Sequence, residues 1–449
     1  MKCFFKFSAI FLSFCLLLTG CSVSSASAKP VAEPSYPEMA PYPDESKFIH
    51  PVSGEFDSDA FSTVYDAWRK DQLRQRDVPP GYADNLTDYF LSCIPCFLQD
   101  NGSNQAVSPL NVYTTLAMLA EITDGSSRQE ILNLLQSDSL DDLRHQASLV
   151  WNAHYCADGA SSCVLANSLW LDSHLVFQQT AVNLLAEHYF SSVFQADLGS
   201  EESNRMLRDW LNKQTGGLLT EQAENLSLDS QTALALASTL YYRAKWVNTF
   251  QSAGNSDSVF HSPDGDQAVT FMNQELSYGP YYWGTNFGAV SLSLEDGSQM
   301  WLILPDEGLT PGDILESGQA LQLALGGWME TESKKSLRVN LSLPKFDAGS
   351  DLRLDDAFKK LGIASVFGEQ ADFSPILPGQ TAWLDAINHA ARVKIDEEGV
   401  EAAAYTVMSV CGAGMPPEDE IDFVLDRPFL FLITSRDNLP LFAGIVNAP

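Results

Sequence analysis

Residues 389–406 of the 449-residue chain read HAARVKIDEEGVEAAAYT, and this stretch decides the fold that we expect. The alternating pattern of a strand stops at three acidic residues and Gly399, and a run of small side chains follows. Successive side chains of a strand point to opposite faces, so one face here would be apolar or small throughout. That face comprises Val400, Ala402, Ala404, Thr406 and Met408. The segment could therefore enter a sheet as an added strand, although an Ala-rich helix or an exposed loop has a similar composition.

The backbone of this segment also suits a sheet, since no proline interrupts residues 397–415 and every N–H there can join a ladder. The series of motifs around it resembles the serpin family of serine protease inhibitors. Glu-x-Gly-x-Glu-Ala-Ala-Ala, here from Glu397 to Ala404, is the hallmark of the inhibitory members. Further matches follow in family order over residues 81–449: Ser108-Pro109, Asn167 to Trp170, Trp210, Thr215-Gly216-Gly217, Tyr241 to Trp246, Leu343 to Phe346, Ala371 to Ser374, and Arg427-Pro428-Phe429.

The fold class that this resemblance implies is α+β. A serpin fold has three large, mostly antiparallel β-sheets, about eight to nine helices and an exposed reactive-centre loop. The hydrophobic periodicity agrees with that class, because helical patterns cluster early and strand-like runs late. Helical patterns cover residues 112–119, 128–135, 184–194 and 205–211. Strand-like runs cover residues 164–171, 232–242, 289–294, 300–304, 337–343 and 429–434.

The function that the resemblance implies is suicide-substrate inhibition. A target protease attacks the exposed loop and forms its acyl-enzyme, and the cleaved loop then inserts into the main sheet. At ~3.3 Å per residue, roughly fifteen inserted residues would carry the protease ~50 Å. Catalytic geometry tolerates a displacement of about 1 Å poorly, so deacylation stalls. On this interpretation the chain is not an enzyme, supplies no catalytic group, and needs no cofactor and no metal.

The resemblance also assigns residues that control insertion. The hinge comprises Glu397, Glu398, Gly399, Val400, Glu401, Ala402, Ala403, Ala404, Tyr405 and Thr406. The shutter and the top of the sheet comprise Ser108, Asn111, Ser238, His389, Trp246 and Lys345, with Lys345 paired to Glu397. Ser238 stands where the family usually has Asn, and Asn111 where it usually has a second Ser. We interpret this as an exchange of two polar groups within one cluster, although two unrelated surface changes would give the same sequence.

The scissile bond is inferred by counting. Family members keep about seventeen residues from the hinge glutamate to the cleaved residue, which places the reactive bond at Ala413-Gly414. Pro416-Pro417 agrees with this register, and Met415 is disfavoured because a proline follows it. A small side chain at position 413 predicts serine proteases with a small S1 pocket, elastase-like or subtilisin-like, with cysteine proteases as a further class. Residues 411–415 contain no Lys or Arg, so trypsin-like targets are not expected.

The first twenty residues read as an export signal. Lys2 and Lys6 precede an apolar run at residues 10–18 that is too short to span a bilayer. Leu18-Thr19-Gly20-Cys21 resembles the bacterial lipoprotein cleavage box, in which the cysteine carries the lipid. We therefore expect a signal peptide at residues 1–20, lipidation of Cys21, and an extracellular protein anchored to a bacterial membrane. An ordinary secretory signal that happens to contain cysteine is the alternative.

Residues 21–80 differ in composition from the rest of the chain. Prolines alternate with small and acidic residues and aliphatic residues are scarce, which predicts an extended, semi-stiff tether. One helix could form at residues 61–73. Residues 81–449 form one continuous globular unit, the expected serpin domain, and we expect a monomer.

Composition and missing motifs narrow the function classes. Lys and Arg number 26 against 58 Asp and Glu, and a net charge of −32 excludes binding to a nucleic-acid backbone. The sequence contains no G-x-S-x-G, H-E-x-x-H, Walker or Rossmann motif. His154, Cys156 and Cys163 match no common zinc spacing, and whether Cys93 pairs with Cys96 or Cys156 with Cys163 stays open. Two alternatives remain: a non-inhibitory serpin acting as a surface binding protein, and an unrelated extracellular hydrolase with a scattered site.

Overall fold

The computed structural model describes residues 30–224, 226–326, 333–400 and 419–449. Its helices are α1 Ser58–Gln75, α2 Thr87–Phe97, α3 Pro109–Ile122, α4 Gly125–Leu134, α5 Leu140–His154, α6 Gln179–His188, α7 Glu201–Gln214, α8 Thr220–Glu224, α9 Pro311–Ser317, α10 Gln319–Ala324 and α11 Asp355–Lys360. Its strands are β1 Pro30–Ala32, β2 Gln105–Val107, β3 Cys156–Ala157, β4 Ser162–Asp172, β5 Ser191–Ala196, β6 Leu234–Lys245, β7 Ser256–Ser262, β8 Gly265–Trp283, β9 Phe287–Ser293, β10 Gln299–Pro305, β11 Lys334–Pro344, β12 Asp347–Arg353, β13 Leu384–Lys394, β14 Gly399–Val400, β15 Glu420–Val424, β16 Phe429–Thr434 and β17 Pro440–Val446.

The strands form two large mixed sheets, which confirms the α+β class. The first sheet has the order β1-β5-β4-β6-β13-β12, with β3 paired to β4 and β14 paired to β6. The second sheet has the order β15-β11-β8-β9-β10-β16-β17-β2, with β7 paired to β8. The prediction of three separate sheets is corrected to two over the described residues. The reason is the 19-residue strand β8, which pairs with β7, β9 and β11 and so joins two groups of strands into one sheet.

Helix α3 lies between the two sheets and forms the centre of the core. Every residue from Pro109 to Ile122 is buried, as expected for a helix that packs on both sides. Ser108 caps its first turn by accepting a hydrogen bond from the Asn111 N–H, and Pro109 occupies the first helical position, where no N–H is needed. The same cap thus fixes the two shutter residues at the start of this helix.

The helices after residue 80 number ten in the described part of the chain, against the eight to nine predicted. The short helices α8, α10 and α11 have only five or six residues, too few for a clear periodicity. The predicted helix at residues 184–194 ends at His188, because Phe190 has a left-handed φ of 49° and turns the chain into β5. No described helix is long and apolar enough to cross a membrane.

The expected tether packs against the body of the protein between Pro30 and Arg76. Strand β1 pairs antiparallel with β5 at the edge of the first sheet, and Tyr36 stacks on Trp151 with ring centroids 5.6 Å apart. Helix α1 contains the predicted segment 61–73, and Trp68 Nε1 donates to the Ala40 carbonyl at 3.1 Å. Over these residues the segment is therefore packed on the protein rather than separate from it as a tether. Aromatic side chains supply the buried surface that the scarce aliphatic residues do not.

Candidate functional site

Strands β6 and β13 lie side by side in the middle of the first sheet but pair over only part of their length. Their parallel register runs from Leu234 opposite Leu384 to Thr239 opposite Ala390. Beyond that point β6 continues to Lys245 paired on its other edge with β4, and β13 continues to Lys394 paired with β12. Among the described residues, no pairing joins the two strands beyond that point. We call the space between residues 240–245 and 391–394, where no described pairing joins β6 to β13, the insertion gap.

The hinge enters the mouth of the insertion gap. Gly399 and Val400 form β14, which pairs antiparallel with the top of β6 opposite Lys245 and Ala244. Val400 is 2% exposed, and it is the first residue of the apolar face predicted from the sequence. Asp396 holds the turn before it, because its Oδ1 accepts from the Glu398 and Gly399 N–H groups at 2.8 and 3.2 Å.

Position 399 requires glycine because β14 and β6 approach closely. A Cβ there would lie 2.3 Å from the Ala244 carbonyl oxygen and 2.7 Å from the Lys245 Cα, both rigid backbone atoms. The remaining hinge residues, Glu401 to Thr406, and the reactive bond Ala413-Gly414 lie outside the described residues, as does Cys21. The structure therefore describes the start of the hinge and the gap that it faces.

A group of hydrogen bonds fixes the chain at the top of this gap. Lys345 Nζ lies 2.7 Å from Glu397 Oε1, and Asn255 Nδ2 donates to the same oxygen at 2.6 Å. Burial opposes ionisation of Glu397, but the bonds from Lys345 and Asn255 outweigh it and lower its pKa. Trp246 Nε1 donates to the Asp396 carbonyl at 2.9 Å, and the Trp246 N–H donates to the Glu398 carbonyl at 3.0 Å. The structure thus brings Lys345, Trp246 and Glu397 together, and Asn255 is a member that the sequence did not reveal.

The shutter histidine lies below the gap and is fully buried. The Ser108 N–H donates to His389 Nε2 at 2.9 Å, so Nε2 is the acceptor of the ring. His389 Nδ1 therefore carries the proton and donates to Ser238 Oγ at 2.9 Å. Burial lowers the pKa of His389 to about 3, so the ring is neutral. The sequence placed Ser108, Ser238 and His389 in one cluster, and the structure brings these three together.

Asn111 lies in a neighbouring cluster between α3 and β4. Its Nδ2 donates to the Ala166 carbonyl at 3.4 Å, and its Oδ1 accepts from Thr114 Oγ1 at 3.2 Å. Asn167 on β4 donates to Thr114 Oγ1 at 3.1 Å and accepts from Thr115 Oγ1 at 2.8 Å. Ser238 and Asn111 thus serve two adjacent clusters joined through Ser108, rather than one.

Sequence reasoning missed Thr114, Thr115 and Asn167 as members of this network. The available signal was a pair of threonines three and four residues after Asn111 in an otherwise apolar helix, since these spacings share one helix face. Among the described residues, no group of three or more His, Cys, Asp or Glu side chains is placed to hold a metal ion.

Comparisons with known proteins agree with this geometry. The serpin (serine protease inhibitor) family model matches residues 94–449. Serpin-ZX of Arabidopsis thaliana is 30% identical over 366 residues, covering 77% of this chain and 92% of the relative. The leukocyte elastase inhibitor of Sus scrofa is 27% identical over 363 residues, covering 78% of this chain and 95% of the relative. The native state of tengpin, a thermophilic serpin, superposes with a TM-score of 0.73 at 22% identity, covering 83% of this chain and 95% of tengpin.

Proposed function

Because the chain belongs to the serpin family, we propose that it is a suicide-substrate inhibitor of extracellular serine proteases with a small S1 pocket. The observation that carries this proposal is the position of β14. Its two residues already pair antiparallel with β6 at the mouth of the insertion gap, in the direction that an inserting strand would continue. Serpins are generally protease inhibitors rather than enzymes, so the unrelated hydrolase is no longer a candidate.

The inhibitory step begins with the chemistry of the protease. Its serine oxygen attacks the Ala413 carbonyl carbon, and the Gly414 nitrogen leaves as a free amine after taking a proton. The acyl group then ties the protease to the hinge side of the cleaved loop. The loop extends β14 down the insertion gap and pairs with β6 on one side and β13 on the other. Lower down, it must separate Thr239 from Ala390 and break the bond between His389 and Ser238.

The small residue at the inferred cleavage position supports an elastase-like or subtilisin-like target. A pocket narrowed for small side chains accepts Ala413, whereas a deep pocket gains little from it, since each missing methylene costs about 1–3 kcal/mol. The name of the leukocyte elastase inhibitor, one of the relatives, points to the same class of protease. A non-inhibitory serpin acting as a surface binding protein is the second candidate, and the bulky Tyr405 within the hinge favours it.

We also propose that a lipid on Cys21 anchors the protein outside a bacterial membrane. Strand β1 is fixed to the first sheet from Pro30 onward, so only residues 22–29 separate the anchor from the body. Fully extended, they would reach about 30 Å, which holds the inhibitor close to the membrane surface. Cys21→Ser should move the protein from the membrane fraction to the medium, and unchanged retention would disprove the anchor.

The inhibitor proposal is tested with a panel of purified proteases. The chain is incubated with pancreatic elastase, subtilisin and trypsin, and with elastase whose active-site serine has been blocked. A complex that survives SDS is expected with elastase or subtilisin and is not expected with trypsin or the blocked enzyme. Cleavage of the loop by elastase and subtilisin without any stable complex would favour the non-inhibitory alternative.

A further inference from the structure

Two cysteines face each other across the hairpin that β3 and β4 form on the side of β6 opposite the insertion gap. Cys156 on β3 and Cys163 on β4 are direct register partners in this antiparallel pair. Both are buried, with 2% and 5% of their surface exposed, and both are free thiols in this structure. Residues directly opposite in antiparallel strands have Cα atoms about 4.5–5.5 Å apart, and disulfides join Cα atoms about 4.4–6.8 Å apart.

The turn between the two cysteines holds this register. Asp158 Oδ1 accepts from the Ala160 and Ser161 N–H groups at 3.0 and 2.8 Å, so the hairpin cannot slip without losing two charge-assisted bonds. Cys156 Sγ donates to the other Asp158 oxygen at 3.3 Å. Loss of the thiol proton would therefore cost Asp158 one partner while both turn bonds remain.

We propose that Cys156 and Cys163 are oxidised to a disulfide that closes this hairpin. The oxidant is a small-molecule or protein disulfide, such as oxidised glutathione. One cysteine thiolate attacks a sulfur of the external disulfide and expels a thiolate. The second cysteine thiolate then attacks the mixed disulfide and expels the other thiolate. Two protein thiols lose two protons and two electrons, and the external disulfide gains them as two thiols.

Burial of the two thiols determines when the disulfide can form. It raises the pKa of the Cys156 thiol to about 12 and that of the Cys163 thiol well above its ordinary value. Little thiolate therefore exists in the folded hairpin, and the thiolate is the reactive form. Oxidation belongs to the folding stage, before the hairpin is covered, and the finished bond is then shielded from reductants.

The location of the hairpin gives the cross-link a structural role. Cys163 is the register partner of Tyr242 on β6, in the part of β6 that borders the insertion gap. Arg243 Nη2 donates to the Gly159 carbonyl in the hairpin turn at 2.8 Å, and the Tyr42 N–H donates to the Asp158 carbonyl at 2.8 Å. The hairpin thus supports β6 from the side opposite the insertion gap, and its turn also binds the N-terminal segment through Tyr42. A disulfide would keep this support in place while the loop inserts.

The cysteines at 93 and 96 provide an internal comparison. They lie one turn apart on α2, and their sulfur atoms donate to different backbone carbonyls, Phe90 O at 3.8 Å and Ser92 O at 3.5 Å. Neither sulfur is held opposite the other by a pair of strands. We expect these two thiols to stay reduced under conditions that oxidise the hairpin pair.

The test refolds the purified chain in a buffer of reduced and oxidised glutathione and alkylates free thiols in denaturant, so that burial cannot protect them. The tryptic peptide 145–205 contains both hairpin cysteines and no other. It should be unlabelled and lighter by two hydrogen atoms than the reduced peptide. Cleavage at Asp158, which lies between the cysteines, should leave two halves joined until a reductant is added. Cys163→Ser should make Cys156 fully alkylatable, whereas Cys96→Ser should leave the joined peptide unchanged.

Two results would overturn the proposal. One is full alkylation of Cys156 and Cys163 in chains that have refolded to the native circular-dichroism spectrum in the oxidising buffer. The other is a disulfide that maps to Cys93, Cys96 or Cys411 in place of the hairpin pair. Because the wild-type chain supplies the main measurement, misfolding of a serine variant does not affect the conclusion.

Discussion

His389 on β13 and Ser238 on β6 are direct register partners, and the 2.9 Å bond from His389 Nδ1 to Ser238 Oγ crosses the seam between the two strands. One residue above this pair, at Thr239 and Ala390, the described pairing of the two strands ends and the insertion gap begins, and below the pair the two strands stay paired. A strand that inserts fully must separate His389 from Ser238. The bond therefore stabilises the uncleaved form and has to be given up when the loop inserts.

The first prediction concerns Ser238→Ala. The substitution leaves the His389 Nδ1–H buried without an acceptor, which should cost about 1–3 kcal/mol of unfolding free energy. The native form should also lose inhibitory activity faster on mild heating, because the seam opens more easily. Urea unfolding and timed activity assays measure the two effects. Ser230→Ala, at an exposed position, is the matched control, and equal stability of the two variants would contradict this role of the bond.

The second prediction concerns acid. The folded pKa of His389, about 3, lies below the value of about 6.5 expected in the unfolded chain, so between these values the unfolded chain binds more protons. Stability should therefore fall as the pH drops from 6.5 toward 3, by up to about 1.4 kcal/mol per pH unit. Urea unfolding at pH 7, 6, 5 and 4 should show a shallower fall for His389→Gln than for wild type.

His154 also makes the stability fall as the pH drops below about 6.5, since burial lowers its pKa to about 4. Some dependence of stability on pH should therefore persist in the His389 variant. His188→Gln, at an exposed helix end, serves as the control and should follow the wild type. Parallel pH curves for wild type and His389→Gln would show that the shutter histidine does not cause the acid sensitivity.

The third prediction concerns Gly399→Ala. The added methyl would meet the Ala244 carbonyl oxygen at 2.3 Å, so β14 must move off β6 or distort it. Overpacking of this kind costs about 1–3 kcal/mol, or roughly five- to 150-fold in a rate that depends on this pairing. The yield of SDS-stable complex should fall while the loop is still cleaved. Gly368→Ala, where a methyl would meet nothing within 4 Å, is the control.

How much of this site could be predicted from the sequence depends on how local its signals are. The alternation from Val400 to Met408 lies within one strand length, and the structure buries Val400 as that alternation requires. The family motifs placed His389 and Ser238 in one cluster although 150 residues separate them. Composition alone would not have done so, because a serine in a strand-like run is compatible with many partners.

The missed features arise from pairing across long distances. Strand β1 has three residues and meets β5 more than 160 residues later, so nothing near Pro30 indicates a sheet edge. The sequence placed Asn111 in one cluster with Ser238, but the helix turn that Ser108 caps directs its side chain to the Ala166 carbonyl on β4. The division into sheets depends on whether β8 continues past the register shift opposite Leu337 and Val339, and that continuation depends on the partner strands on both sides.

The fourth prediction tests the inserting face with two neighbouring hinge residues. Ala402→Arg would force a charge into the sheet interior at a cost of several kcal/mol, whereas Ala403→Arg would place it on the opposite face. The loop of Ala402→Arg should be cut at the same bond but released, so that inhibitor becomes substrate. The moles of inhibitor consumed per mole of protease inactivated should rise roughly tenfold or more for this variant and change little for Ala403→Arg. Equal values for the two variants would show that the faces are assigned wrongly.

The last prediction concerns the reactive bond at Ala413-Gly414. Ala413→Arg supplies the side chain that a trypsin-type pocket binds, and it removes the small one that an elastase-type pocket accepts. At about 1–3 kcal/mol per methylene, the change should raise trypsin inhibition and lower elastase inhibition by at least about tenfold each. The trapping step should survive, because the length from Glu397 to the cleaved bond is unchanged.

Mass spectrometry of the released C-terminal peptide checks the register directly, since that peptide should begin at Gly414 in both the wild type and the variant. A peptide that begins at Gly412 or Pro416 would show that the count is wrong, and the insertion mechanism would then have to work with a strand of different length.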